Sequence, residues 1–116
     1  MIRYSEQNID HKDISNVIKT LKSDLITTGP EVPKFEKSLA KKVNSKYCVV
    51  FNSATSALHS ACLALGLKKN DWLWTSANSF VASANCGLYC DAKVDFIDIE
   101  LETFNIDLKK LETKLQ

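Results

Sequence analysis

The chain alternates short apolar runs with segments of helical period, and that rhythm restricts its fold more than any other feature. Tyr47-Cys48-Val49-Val50-Phe51 is a continuous run rich in strand formers, the pattern of a strand buried on both faces. Trp72-Leu73-Trp74-Thr75 and Val94 to Ile99 read as two further strands. Between them, residues 54–65 carry Ala57, Leu58, Ala61, Cys62 and Leu65 on one helical stripe, with Gly66 as the expected C-terminal stop. Residues 80–89 carry Phe80, Val81, Ala84 and Leu88 in the same way. One helix between successive strands is the βαβαβ order of an α/β domain with parallel strands and crossover helices.

Helices flank this core. Ile14, Val17, Ile18 and Leu21 follow an i, i+3, i+4, i+7 pattern, with Asp10 as the expected N-cap and Asp13 in the first turn. The Leu25–Pro30 stretch has turn chemistry. A second helix is expected with Pro33 at its first position and Phe35, Leu39 and Val43 on one face. Asn105-Ile106-Asp107 can cap a last helix through Leu108, Leu111 and Leu115. The expected division is a helical segment over 1–44 and the start of an α/β domain, incomplete, over 45–116.

Charge excludes one class of function. Fifteen Lys and Arg stand against fourteen Asp and Glu, a net +1, so there is no broad basic footprint for nucleic acid. A local anion site remains open. No apolar stretch approaches the ~20 residues needed to span a bilayer, and residues 1–10 hold no apolar core of a secretory signal. A cytoplasmic protein without membrane partners is the expectation. Cys48, Cys62, Cys86 and Cys90 lack CxxC spacing. Cys86 and Cys90 share a helical face, but no second pair completes a metal site, so buried small apolar side chains are expected.

Ligands of open α/β sheets bind beyond the carboxyl ends of the strands. The first such end is Phe51-Asn52-Ser53-Ala54-Thr55-Ser56, a strand running into a helix start. Unpaired N–H groups, the helix dipole and three hydroxyls make a phosphate seat there. The segment has neither a P-loop nor a GxGxxG spacing, and Ser and Thr at a helix start serve equally as plain caps. The second end is Thr75-Ser76-Ala77-Asn78-Ser79-Phe80. Phe80 at that junction either stacks on a flat ring or fills a core. Trp72 and Trp74 share a strand face, and packing accounts for them.

Taken in order, these segments resemble the DegT/DnrJ/EryC1/StrS family of sugar aminotransferases. The resemblance rests on Thr27-Thr28-Gly29-Pro30 with Phe35-Glu36, on Phe51 to Leu58, on Leu63 to Leu67, on Thr75 to Asn85, and on Phe96 to Ile99. It covers most of the chain. It implies the N-terminal part of the large domain of a type I aminotransferase fold, with pyridoxal 5′-phosphate (PLP) as cofactor. Tyr4-Ser5-Glu6 and the Asn52–Leu58 string are most similar to the branch that aminates UDP-linked 4-keto-6-deoxy-N-acetylhexosamines, as in the pseudaminic acid pathway. Carried onto matching positions, the resemblance gives the cofactor phosphate to Ser53, Ala54 and Thr55 and the face of the pyridine ring to Phe80. It gives the nucleotide sugar to Tyr4, Asp24, Leu25, Ile26 and Thr27. Glutamate is the implied amino donor, amino-sugar or surface-polysaccharide biosynthesis the implied setting, and a homodimer the implied assembly. Trp72-Leu73-Trp74 departs from the acidic and aliphatic residues usual there.

No catalytic residue is assigned. The family's Schiff-base lysine and the carboxylate facing the pyridinium nitrogen correspond to positions beyond Gln116, so the 116 residues alone are expected to be inactive. Two other readings stand beside transamination. One is a dehydratase of the same family, in which a histidine replaces that lysine. The other is a non-catalytic remnant or interaction module with uncovered apolar faces.

Overall fold

The computed structural model describes residues 5–116, so the expected sugar contact Tyr4 lies outside the described residues. The chain divides into two compact units, one up to Val50 and one over Phe51–Gln116.

Among the described residues the first unit holds two helices. Helix α1 (His11–Leu21) begins where its cap chemistry requires. The Asp10 carboxylate accepts the N–H groups of Lys12 and Asp13, and Asp13 accepts the Asp10 N–H in return, a complete capping box. Helix α2 (Glu31–Lys42) starts two residues before the expected Pro33, with Pro30 at the N-cap position and no side-chain cap. Glu31 then lies at the positive end of the dipole, paired with Lys34 at 2.7 Å.

The apolar run at 47–51 is not a strand. Tyr47 is 73% exposed and Val49 67%, against the expectation of burial on both faces. A strand exists only when a ladder partner takes its N–H and C=O groups. Here the Tyr47 carbonyl accepts the Ser45 hydroxyl instead, and the Val50 N–H donates to the Glu36 carboxylate at 3.0 Å.

The second unit is a βαβ crossover with a helix on either side in sequence. Helix α3 (Ala54–Ala64) is followed by β1 (Trp72–Ser76), α4 (Ala82–Leu88), β2 (Lys93–Ile97) and α5 (Leu108–Leu115). Strands β1 and β2 pair in parallel from Trp72 opposite Lys93 to Ser76 opposite Ile97. Among the described residues the sheet thus has two strands where three were expected. Helix α3 ends in a Schellman motif. Gly66 takes φ +79°, its N–H donates to Leu63, and the Leu67 N–H reaches back to Cys62.

Helix α4 packs against α3 and both strands. The core between them is Cys62, Cys86 and Cys90, with Leu67 and Leu73 against it. These three cysteines are buried thiols, as expected, while Cys48 is half-buried. Burial and the neighbouring Cys86 push the Cys62 thiol up to about 11. Gly87 sets the approach of α4 to the sheet. A Cβ there would lie 2.9 Å from Val94 Cγ2 and 3.1 Å from Leu73 Cβ. No helix among the described residues is long and apolar enough to cross a membrane.

Candidate functional site

The start of α3 is built by three side chains of its own sequence. Ser53 is extended (φ −153°, ψ 152°), so its Oγ turns back to accept the Ser56 N–H at 3.2 Å. The two hydroxyls lie 3.0 Å apart, and the Ser56 hydroxyl donates to Asn52 Oδ1 at 3.2 Å. Asn52 contributes here although no site role was expected for it. Asx and hydroxyl networks beside a cap are its usual signature.

This network uses the Ser56 N–H and leaves those of Ala54 and Thr55 without a partner among the described residues. The Thr55 hydroxyl is likewise uncommitted there, on a half-buried side chain. No acidic residue occupies the first turn of α3. Two open N–H groups, one hydroxyl and the positive end of a helix dipole can together hold an anion with several oxygens.

Phe80 lies in the turn ahead of α4, two residues before the helix begins. The helix was expected to start at Phe80 itself. Instead the Phe80 carbonyl accepts the Ser83 N–H at 2.9 Å, and the Ser79 and Ser83 hydroxyls lie 2.8 Å apart. The ring is 73% exposed, so it is not the core phenylalanine that an apolar residue at a helix start would ordinarily be.

The carboxylates within and just after β2 are already engaged. Asp95 pairs with Lys114 at 2.5 Å, and that hydrogen bond, with the Phe96 N–H, holds its carboxyl below the usual range. Asp98 is held low by Lys110 at 2.7 Å and by the Ile99 N–H. Both pairs fasten α5 to the end of β2. Trp72 and Trp74 line a shallow cavity with Asp95 and Lys114.

The structure therefore brings Ser53, Ala54 and Thr55 together on one helix start and places Phe80 in the same unit. Asp24, Leu25, Ile26 and Thr27 belong to the other unit, in the turn between α1 and α2. Leu25 and Ile26 are 59% and 64% exposed there.

Residues 7–116 match the sequence profile of the DegT/DnrJ/EryC1/StrS aminotransferase family. The UDP-4-amino-4,6-dideoxy-N-acetyl-β-L-altrosamine transaminase of Campylobacter jejuni is 49% identical over 115 residues, which is 99% of this chain and 30% of that protein. A Streptococcus pneumoniae protein assigned as a sugar aminotransferase, solved in its PLP form, superposes with a TM-score of 0.90 at 31% identity. That match covers 97% of this chain and 29% of the other. The E. coli GDP-4-keto-6-deoxy-D-mannose-3-dehydratase, solved with bound hydrated PLP, gives 0.91 at 28% identity over 100% of this chain and 32% of its own. The chain thus spans about a third of the length of the relatives it matches, and its α/β fold is the fold they carry over that stretch.

Proposed function

This chain belongs to the DegT/DnrJ/EryC1/StrS aminotransferase family, and we propose that it is the N-terminal part of a PLP-dependent enzyme that transfers an amino group from glutamate to a nucleotide-linked 4-keto-6-deoxy sugar. In this reading residues 1–44 are a helical segment carrying sugar contacts at Tyr4 and Asp24–Thr27. Residues 45–116 open the cofactor domain. The setting is amino-sugar or surface-polysaccharide biosynthesis.

The observation that carries the proposal is the open start of α3. A phosphate monoester needs several donors and no opposing carboxylate. Ala54 and Thr55 offer two N–H groups and a hydroxyl, and Ser53 holds them in place by capping Ser56. Phe80 supplies an exposed ring face for a flat heteroaromatic. The cofactor itself, when bound, supplies an electron sink for the amino transfer. The residues of this chain hold and orient it. The 49% identity to an altrosamine transaminase supports the transamination reading.

A complete enzyme tests this directly. It is made by joining this chain to the remaining two-thirds of the Campylobacter jejuni transaminase in place of the matching 115 residues. The joined protein is expected to load PLP and to transaminate the substrate of that relative with glutamate. Loss of PLP loading in a folded, soluble product would exclude the reading.

The same protein tests the packing at Gly87. Gly87→Ala costs about 1–3 kcal/mol of overpacking and regains up to about 1 kcal/mol of helix propensity. A net loss of about 1 kcal/mol is expected, read as a lower urea midpoint at unchanged slope. A raised midpoint would mean that α4 has room to spare.

A further inference from the structure

The turn between α1 and α2 is held by several local contacts, one of which, from Ser23, also serves the C-terminal end of α1. Thr28 takes φ +50°, a left-handed conformation that a β-branched residue avoids. Its hydroxyl donates to the Thr27 carbonyl at 2.8 Å. A Cβ on the next residue, Gly29, would lie 2.4 Å from the Leu25 carbonyl oxygen, with no flexible side chain to give way. The same carbonyl accepts the Ser23 hydroxyl at 3.2 Å, and that hydroxyl also donates to Thr20 at the end of α1 at 2.7 Å. The Leu25 carbonyl is therefore gripped between Ser23 and the bare backbone of Gly29. Leu25 and Ile26 nevertheless present exposed side chains, so these locks bury no apolar core.

The geometry points to Thr28 and Gly29 as positioning residues that fix the Asp24–Thr27 segment in the shape that receives a nucleotide-linked sugar. This rests on the functional reading above and adds the two residues that set the segment without belonging to the expected contacts. Strain of this kind persists where the surroundings over-determine a conformation. Binding then avoids the entropy of ordering the segment.

The test uses the joined enzyme, with the amino sugar of the Campylobacter relative as the probe. Gly29→Ala pushes the Leu25 carbonyl away. It is expected to raise both the calorimetric Kd and the KM for the sugar about tenfold or more, with kcat changed less than about twofold. PLP loading and conversion of the cofactor by glutamate in the absence of sugar should stay as in the unsubstituted enzyme. Thr28→Gly reaches positive φ without strain and should keep the sugar Kd within about threefold, whereas Thr28→Pro, locked near −65°, should weaken it as Gly29→Ala does. The inference is overturned if both disruptive variants bind sugar normally. It is equally overturned if they lose PLP loading and the glutamate step in parallel, since that marks a purely structural role. An unsubstituted joined enzyme that loads no PLP removes the functional reading and this inference together. An active one with indifferent variants removes only the inference.

Discussion

Heated alone, the 116-residue chain is expected to lose its structure over a broad range with no sharp transition, and to bind an apolar dye beforehand. It exposes 10205 Å², where a compact chain of 13.0 kDa exposes about 6,300 Å². Two separate compact pieces the size of its units would still expose only about 7,600 Å². Its buried apolar residues are Ala40, Cys62, Ala82, Cys86, Cys90, Ala92 and Ile97, almost all of them small. No large side chain among the described residues is fully buried, while Leu65 and Leu101 are 87% and 82% exposed. Native domains are stable by about 5–15 kcal/mol only after burial outweighs chain entropy, and this core is too thin to do so. Differential scanning calorimetry with size-exclusion chromatography checks it. A monomer whose calorimetric and van't Hoff enthalpies agree would show that the chain is a self-sufficient domain. The large apolar side chains exposed in this chain, the Phe80 ring face excepted, should be covered in the joined enzyme, so the two melts should differ in kind and not merely in midpoint.

What could be read from the sequence divides by the range of the interactions that decide it. The Asp10 capping box, the Gly66 stop and the Asp107 cap of α5 were legible because each is settled within a few residues. The helix start capped by Ser53 was legible for the same reason, whereas the strand expected to lead into it does not form among the described residues. The run at 47–51 failed because a strand is a relation between two segments, and its composition says nothing about whether a partner stands beside it. Gly87 carried no expectation, and its close approach to Val94 and Leu73 comes only from the folded chain. Thr28 was legible as part of a turn, but its positive φ was not, since a β-branched residue there contradicts its own preference. Such contradictions gather at sites where shape is fixed for a ligand.

Phe80→Ala is expected to weaken PLP binding to the joined enzyme by about tenfold to a hundredfold, with little change in the stability of the PLP-free protein. Both halves follow from the exposure of the ring. A side chain 73% exposed in the free protein has little packing to lose, and surface truncations usually stay within about 0.5 kcal/mol. Once a flat ring lies on its face, the phenyl group contributes about 0.5–1.5 kcal/mol of stacking beyond area burial. The burial itself adds about 25 cal/mol for each Å² removed from water. About 1.4 kcal/mol is a factor of ten, so the two terms together span the expected range. Phe80→Tyr keeps the face and should bind within about threefold of the parent, because only ring geometry is asked of the position. Titration of the apo enzyme with PLP, followed by absorbance, reads the affinities, and thermal melts of the apo forms read the stability. If Phe80→Ala lowers the apo melting point as much as it weakens PLP, the ring is a core residue after all. If neither changes, the stacking face lies elsewhere and the start of α3, with the open N–H groups of Ala54 and Thr55 and the Thr55 hydroxyl, remains as the cofactor's hold on this chain.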